Sequence, residues 1–376
     1  MWGTQAPGLP LFYLLQQGSD MSQKAALKGF ARPFHRNYPR LLARQTGMTL
    51  IELMVAMVIG MVVSLAAVTS LIVARKGFST VDAASQLRDN SRYASDLIQR
   101  ITLQTGFKDA LYATGVPNQK DLSDDAAGAI AANVTGFNNA SFNTSDLTSK
   151  GTATPVNGSD VLILRYQSAK LNNDPNSSVA DGSMIDCSGN KVTTVPENRN
   201  DRMVSVFYVA VGTDGEPSLM CGRSSNGLAP YTGQPIIQGV ETFQILYGVD
   251  GYTADSTAFT GTADSVPERY LRADQIVIGT AAGSTSTKAT YDNWRRVRSI
   301  RIGMVVRGPA NSGQETTAVT LYPFGGSKSS SSDAVGSAFS PASASNDPGA
   351  AFTSPADGRL RQAVTLTIHL RNDQAL

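Results

Sequence analysis

The strongest pattern in the sequence is an unbroken apolar run. From Leu53 to Ala74 there are 22 consecutive uncharged, mostly apolar residues, which as a helix would span about 33 Å. Basic residues precede the run and only Arg75 and Lys76 follow it at once, which favours a cytoplasmic N-terminus and an exported C-terminus. A secretory signal peptide would have a shorter apolar core that ends in a small-residue cleavage site. The run therefore predicts a retained, single-span transmembrane helix.

Helical periodicity continues beyond the apolar run. Apolar residues recur at spacings of mostly three or four, which is the stripe of an amphipathic helix: Phe78, Val81, Ala84, Leu87, Ala94, Leu97, Ile98 and Ile101. No proline interrupts the chain from Met48 to Thr105, and Gly106 is a suitable C-terminal stop. The pattern predicts one long helix, with its first half at 48–75 in the membrane and its amphipathic half at 76–107 against a globular domain.

The remainder of the chain, 108–376, has the pattern of a β-rich domain. Five segments rich in β-branched and aromatic residues predict strands: Asp160–Gln167, Met203–Val211, Glu241–Val249, Val297–Gly308 and Ala363–Asn372. Small and polar residues between them predict loops, of which those at about 126–159 and 325–358 have low complexity. We therefore predict an α+β fold, in which a long N-terminal α-helix packs on a β-rich C-terminal domain with long loops.

Charge separates the first 47 residues from the rest of the chain. Lys and Arg number 32, Asp and Glu number 30, and the formal net charge is +2. Residues 1–47 contain six of the basic residues and one of the acids, so the remainder carries a slight excess of acid and offers a nucleic-acid partner no global attraction. One basic cluster lies in a predicted strand, where its members alternate between faces, so we favour an exposed strand start or subunit contact over an anion or DNA site: Arg295, Arg296, Arg298 and Arg301.

Residues suited to catalysis or metal binding are scarce. His35 and His369 are the two histidines, and no zinc-ligand spacing or C-x-x-C motif is present. His369 lies in a predicted strand and is interpreted as an ordinary strand residue rather than a triad member. Asp250 and Asp255 lack the EF-hand spacing, so a solvated turn is preferred to a calcium site. We expect no enzymatic activity, no cofactor and no metal.

The two cysteines, Cys187 and Cys221, stand on either side of the predicted strand at Met203–Val211. In an exported domain a disulfide is the default, because the compartment is oxidising. A pair of free buried thiols is the alternative. We predict a Cys187–Cys221 disulfide.

One acid, Glu52, stands at the start of the apolar run. A carboxylate near the membrane edge is unfavourable when unpaired, although a solvated position at headgroup depth is the simpler alternative. The Gly47–Met48 bond lies five residues before it, and all six basic residues of the N-terminal segment lie on the far side of that bond. Cleavage there would place a positive α-amino group about one helical turn from Glu52, where its own or a neighbouring terminus can pair with the acid.

The residues around this bond resemble the class III signal of type IV prepilins and type II secretion pseudopilins: Gly47, Met48, Thr49, Leu50, Ile51 and Glu52. In that family a membrane aspartic peptidase cuts after the glycine and methylates the new N-terminal residue. The resemblance implies cleavage between Gly47 and Met48, N-methylation of Met48 and charge pairing by Glu52 during assembly. Met48 stands where the family usually has phenylalanine, and the leader at 1–47 is long, with Met21 as an alternative start.

Most of the mature chain resembles the PilW family of minor pilins. The resemblance is carried by Gln86–Phe107, Val240–Asp250, Trp294–Gly308 and the terminal sequence TLTIHLRN. It implies a minor pilin that takes part in type IV pilus assembly, in a priming or tip complex. A minor pseudopilin of a type II secretion system, and a surface adhesin or DNA-binding pilin subunit, are the alternatives.

The same resemblance implies partners and a location. The partners are the prepilin peptidase, other minor pilins, the major pilin, the inner-membrane assembly platform and, as an open alternative, a tip adhesin; no nucleic-acid partner is favoured. The implied location is the inner membrane, with a cytoplasmic N-terminus and a periplasmic C-terminal domain, and then the pilus at the cell surface.

Overall fold

The structure is a computed structural model, and it describes residues 47–109, 132–197, 201–253, 257–278, 287–313, 317–324 and 351–372. The predictions for the leader, including Met21, lie outside these residues, except at Gly47. The predicted loop at 325–358 is described only from 351 onward, and the first part of the loop at 126–159 is also outside the described ranges. The chain divides into two compact units, residues 1–65 and 66–376.

One uninterrupted helix, α1, begins at Leu50 and ends at Gln104, so its residues belong to both units. Every residue from 47 to 65 is exposed, and most of these side chains are apolar. The hydroxyl of Ser64 donates to the carbonyl oxygen of Gly60 at 2.8 Å. Because this polar group is satisfied within the helix, the apolar surface around it is suited to lipid or to other apolar helices.

The part of α1 in the second unit has one buried stripe: Ala83, Leu87, Ser91, Ala94, Leu97, Ile98, Ile101 and Thr102. The predicted stripe is correct from Leu87 onward and wrong at Phe78, Val81 and Ala84, which are exposed. Periodicity shows which residues share a face of the helix, but it does not show where along that face the domain begins. The buried contact starts only at Ala83.

Gly106 ends the helix, as the sequence predicts. Its φ is +75°, a left-handed conformation that glycine adopts without the steric cost met by other residues. Its N–H donates to the carbonyl oxygen of Arg165 at 2.9 Å. The C-terminal end of α1 is thereby hydrogen-bonded to the strand that contains Arg165.

The first sheet has five antiparallel strands in sequential order: β1 (Val134–Phe137), β2 (Val161–Tyr166), β3 (Met203–Val211), β4 (Pro217–Arg223) and β5 (Thr232–Gln238). The strands predicted at β2 and β3 are confirmed. The strand β1 corrects the interpretation of 126–159 as loop throughout, and β4 and β5 were missed. Each of these contains a glycine or proline that lowers β propensity, and each is held by pairing with a neighbouring strand.

The second sheet has four antiparallel strands in the order β11–β8–β6–β7: β6 (Val240–Val249), β7 (Arg269–Leu271), β8 (Val297–Arg307) and β11 (Arg361–His369). The strands predicted at β6, β8 and β11 are confirmed, and His369 lies in β11 as expected. Two short helices precede β8, and a separate two-stranded sheet follows it: α2 (Ala273–Ile276), α3 (Thr287–Trp294), β9 (Thr320–Leu321) and β10 (Phe352–Thr353).

A single glycine connects the two sheets. Gly239 separates β5 from β6 and has φ of +83°. Its carbonyl oxygen accepts the N–H of Arg307 at 2.7 Å, and a Cβ at this position would lie 2.5 Å from the carbonyl oxygen of Arg307. Since both the backbone angle and the contact exclude a side chain, the crossing between sheets requires glycine.

One apolar core joins α1 to both sheets. Its members come from the helix and from every strand of the two sheets, and they include Ile98, Ile101, Leu164, Phe207, Leu219, Phe243, Ile245, Ile302 and Ile368. Cys187 and Cys221 also belong to this core and form a disulfide with a Cα–Cα distance of 5.5 Å. The predicted disulfide is confirmed, and both cysteines are fully buried.

A buried ion pair closes the second sheet at one end. Arg298 Nε lies 3.0 Å from Asp250 Oδ2, and the two side chains are 1% and 0% exposed. The carboxylate of Asp250 also accepts the backbone N–H groups of Asp264 and Ser265. The prediction of a solvated turn is therefore wrong at Asp250, because two loop amides and an arginine replace its water; Asp255 lies outside the described residues.

The expectation for the basic cluster around Arg298 is also corrected. Arg295 follows α3 instead of lying in a strand, and its Nη1 is 2.6 Å from Asp292 Oδ1. The guanidinium of Arg301 lies over the ring of Tyr270, 4.2 Å from its centroid. The predicted alternation of the four arginines between the two faces of a strand does not apply to Arg295 and Arg296, because the strand begins only at Val297.

Removal of the Asp250 carboxylate is expected to be strongly destabilising. The Asp250→Ala chain should lose about 3–5 kcal/mol of unfolding free energy, because the charge of Arg298 would remain buried without its acid. The matched control is Asp292→Ala, which breaks a half-exposed pair and should cost less than about 1 kcal/mol. Denaturant unfolding of the full chain in detergent measures both, and equal losses would contradict the assignment.

A second ionic cluster predicts a pH dependence. Hydrogen bonds from Arg359 and Arg307 hold the pKa of the Glu216 carboxyl below its ordinary value of 4.5. Its contribution to stability is therefore fully present above pH 4.5 and is lost as the pH falls through the lowered, folded-state pKa. The unfolding midpoint should fall on acidification, and less steeply in Glu216→Gln; identical slopes in the two chains would refute this role.

Candidate assembly site at the start of the helix

The first turn of α1 is closed by three hydrogen bonds between Thr49 and Glu52, two in one direction and one in the other. The backbone N–H and the hydroxyl of Thr49 donate to Glu52 Oε2 at 2.9 and 3.1 Å. In return, the backbone N–H of Glu52 donates to Thr49 Oγ1 at 3.3 Å. This is a capping box, which satisfies backbone donors that a helix start otherwise leaves open. It also places a negative charge at the positive end of the helix dipole.

The capping box gives Glu52 a partner that the sequence analysis missed. The acid is bound to Thr49 in the uncleaved chain, without any new amino terminus. The pattern Thr49-Leu50-Ile51-Glu52 before an apolar run is the sequence mark of a capping box and could have been used to find it. Glu52 is consequently held in a fixed position at the helix start.

The carboxylate of Glu52 retains capacity for a second partner. Within the part of the chain that the structure describes, Oε1 accepts no hydrogen bond, and the residue is exposed. An ionised carboxylate accepts several hydrogen bonds, so one oxygen can hold the cap while the other receives a cation. Pairing with an α-amino group at Met48, in the same or a neighbouring chain, is compatible with this geometry and stays a prediction.

The Gly47–Met48 bond lies outside the helix, which begins at Leu50. Met48 is 66% exposed, and a Cβ added to Gly47 would meet no atom within 4 Å. The chain itself therefore has no packing reason to require glycine at this position. The cleavage predicted after Gly47 is therefore not explained by packing within the fold and stays a prediction.

The residues that follow the bond present an apolar surface. Leu50 and Ile51 are 76% and 69% exposed, and α1 is long and apolar enough to cross a membrane. The site therefore combines an accessible, non-helical peptide bond, a fixed carboxylate and an apolar helix. This arrangement is compatible with the processing and charge pairing predicted from the sequence, and both stay predictions.

One cluster of acids lies elsewhere, in the second unit. Oxygens of Asp250, Asp264 and Glu268 lie within 4.8 Å of one another. Asp250 is paired with Arg298, and Glu268 Oε2 accepts the backbone N–H of Gly251 at 2.7 Å. Hydrogen bonding within the fold accounts for the positions of Asp250 and Glu268.

Two family models match separate parts of the chain. Residues 206–372 match the family model described as Type IV Pilus-assembly protein W, and residues 42–68 match the one described as Prokaryotic N-terminal methylation motif. A type IV-like pilin from Thermus thermophilus is similar in structure over 77% of this chain and 100% of that chain, at 12% identity and a TM-score of 0.35. No curated protein sequence matches the chain significantly.

The capping box predicts a local effect of Thr49→Val. The substitution keeps the branched shape but removes the acceptor of the Glu52 N–H, so this amide should exchange about five to ten times faster, equivalent to about 1 kcal/mol. Thr80→Val is the matched control, because the Thr80 hydroxyl bonds to the carbonyl oxygen of Lys76 inside the helix. Hydrogen exchange of the full chain in detergent tests the pair, and unchanged protection at Glu52 would exclude the cap.

Proposed function

We propose that this chain is a minor pilin of the PilW family and acts in a priming or tip complex of the type IV pilus. Its residues 206–372 match the PilW family model, and its residues 42–68 match the N-terminal methylation motif. The observation that carries the proposal is the presence in one chain of this motif, an exposed apolar helix and a PilW-type domain. The proposal gives the chain a role in assembly and no catalytic step.

Processing is the first step of the proposed mechanism. The precursor is held in the inner membrane by the apolar part of α1, with the leader in the cytoplasm and the β-rich domain in the periplasm. The prepilin peptidase cleaves between Gly47 and Met48 and methylates Met48. The exposure of this bond, and its position before the helix, support this step.

Charge pairing is the second step. When α1 leaves lipid headgroups for a bundle of helices, an unpaired Glu52 carboxylate would lose its water at a large energetic cost. The capping box offsets part of that cost through two donors from Thr49. The α-amino group of a neighbouring subunit supplies the opposite charge at the remaining oxygen, so docking is favoured only in a register that brings the two together.

Association of the helices is the third step. Every residue of α1 from 50 to 79 is exposed, while its buried residues begin at Ala83. As a pilin, the chain interacts with other pilins and with the assembly machinery. We assign the partners as other minor pilins, the major pilin and the inner-membrane platform, with a tip adhesin as an open alternative.

The tip position follows from the size of the domain. A five-stranded sheet, a four-stranded sheet and long connections are carried on one helix. A domain of this size would crowd a tight helical shaft if it were repeated in every subunit. A low-copy position at the tip, reached after transit from the inner membrane to the cell surface, accommodates it.

The cleavage step is tested by mass spectrometry of the mature protein from cells. The N-terminal peptide should begin at Met48 and carry one added methyl group. In Gly47→Ala, which the fold tolerates, processing should fall sharply while the uncleaved chain stays folded, because only the peptidase requires the glycine. A mature chain that retains its leader, or that begins elsewhere, would reject the cleavage assignment.

The charge-pairing step is tested with two variants of Glu52. Glu52→Gln keeps an oxygen that can cap the helix but loses the charge, whereas Glu52→Val loses both. Both variants should be cleaved, and both should be depleted at least tenfold from sheared pili. Asp82→Asn, which removes an exposed acid from the same helix, is the control and should be incorporated normally. Normal incorporation of Glu52→Gln would show that capping, and not charge, is what Glu52 provides.

A further inference from the structure

Arg165 is a buried cation without a matching acid. It lies on β2 and is 6% exposed. Its Nη1 donates to the carbonyl oxygen of Ala132 at 3.0 Å and to the hydroxyl of Thr135 at 2.8 Å, both of which are neutral acceptors. Among the described residues, no carboxylate forms an ion pair with it. Arg298 is buried to a similar degree, and there the fold provides Asp250.

The burial of this charge has a measurable cost. Desolvation lowers the pKa of the Arg165 guanidinium to about 10. A buried cation with neutral partners is destabilising compared with one that has an acid beside it. The other buried arginines that the structure describes, Arg272 and Arg298, each have an aspartate beside them, so Arg165 differs from both in being available for an external anion.

The unused edge of the guanidinium is the one that binds carboxylates elsewhere in this chain. Nε and Nη2 of Arg165 make no hydrogen bond to a described residue, and neither is sealed from the surface. In Arg272, Nε and Nη2 each donate to the carboxylate of Asp274 at 2.9 Å. In Arg361, Nε and Nη2 donate to the carboxylate of Glu241 at 2.6 and 3.0 Å. This edge matches the two oxygens of a carboxylate.

Two cavities meet at Arg165. The larger has a volume of about 650 Å³, within the range of small-ligand sites, and its walls include Phe137, Leu147, Tyr291 and Trp294. The smaller, of about 330 Å³, contains Glu197 and Asp201. Apolar walls favour a ligand with an apolar or aromatic body, and the nearby acids disfavour a doubly charged phosphate compared with a single carboxylate.

We propose that the cavity beside β1 and β2 is a binding site for a carboxylate carried on an apolar or aromatic group, with Arg165 as the residue that receives the carboxylate. Thr135 fixes the guanidinium by accepting from Nη1, so the Nε and Nη2 edge is presented in one orientation. The body of the ligand lies against Phe137, Leu147 and Tyr291. This site is independent of the assembly role proposed for the start of the helix.

The test uses the full chain in detergent and two probes, N-acetylphenylalanine and its amide. The free acid should show saturable chemical-shift changes and raise the unfolding temperature, while the amide should bind at least tenfold more weakly. Arg165→Gln should lose the preference for the acid. Arg301→Gln, which alters a partly exposed arginine on β8, should keep it. Equal binding of acid and amide, or an unchanged preference in Arg165→Gln, would overturn the proposal.

A second variant keeps the test interpretable if Arg165→Gln does not fold. Val277→Phe narrows the same cavity while the arginine is retained, and it should also abolish binding of the acid.

A peptide, acetyl-Phe-Glu-Phe-amide, distinguishes the source of the carboxylate. Tighter binding of the peptide supports a partner polypeptide, and tighter binding of N-acetylphenylalanine supports a free small acid. Absence of saturable binding by both rejects the site. Processing at Gly47 should be normal in every case, which separates this test from the assembly proposal.

Discussion

The burial of one helical stripe against two sheets is the contact on which the second unit depends. Buried residues of α1 from Leu87 to Ile101 pack in one apolar core with residues of both sheets. The end of α1 is then fixed by the hydrogen bond from the Gly106 N–H to the carbonyl oxygen of Arg165. Burial of large aliphatic side chains is the main favourable term in such a contact. Without it, the inner faces of both sheets would be exposed to water.

The N-terminal part of the same helix is exposed instead of being buried against the sheets. Residues 47–79 bury nothing within the chain, so their apolar side chains must be covered by lipid or by other helices. A protein with this division can exchange its surroundings without refolding its domain. This property is what assembly from a membrane into a filament demands.

Charged groups in this chain are handled in three physically different ways. Asp250 and Arg298 are buried together and neutralise each other. Glu52 is exposed and is held by the donors of its own helix start. Arg165 is buried with neutral acceptors and lines a cavity. Among these three, only the charges of Asp250 and Arg298 neutralise each other within the described residues. Glu52 and Arg165 can each still bind a group of opposite charge.

The sequence by itself determined the long helix, the five main strands, the disulfide and the motif at Gly47–Glu52. These depend on local properties: continuous apolarity, period-two or helical patterns, compartment chemistry and a short contiguous motif. The stop at Gly106 was also local, because one glycine with positive φ is enough to end a helix.

The tertiary structure alone decided what depends on distant residues. It set Ala83 as the first buried position of the helix, and it formed strand β1 by pairing Val134–Phe137 with β2. It also buried Asp250, since Arg298 is 48 residues away in sequence and reaches it only through the pairing of β6 with β8. Periodicity shows which face of an element is apolar, but only the assembled fold determines what lies against that face and which charges are left without water.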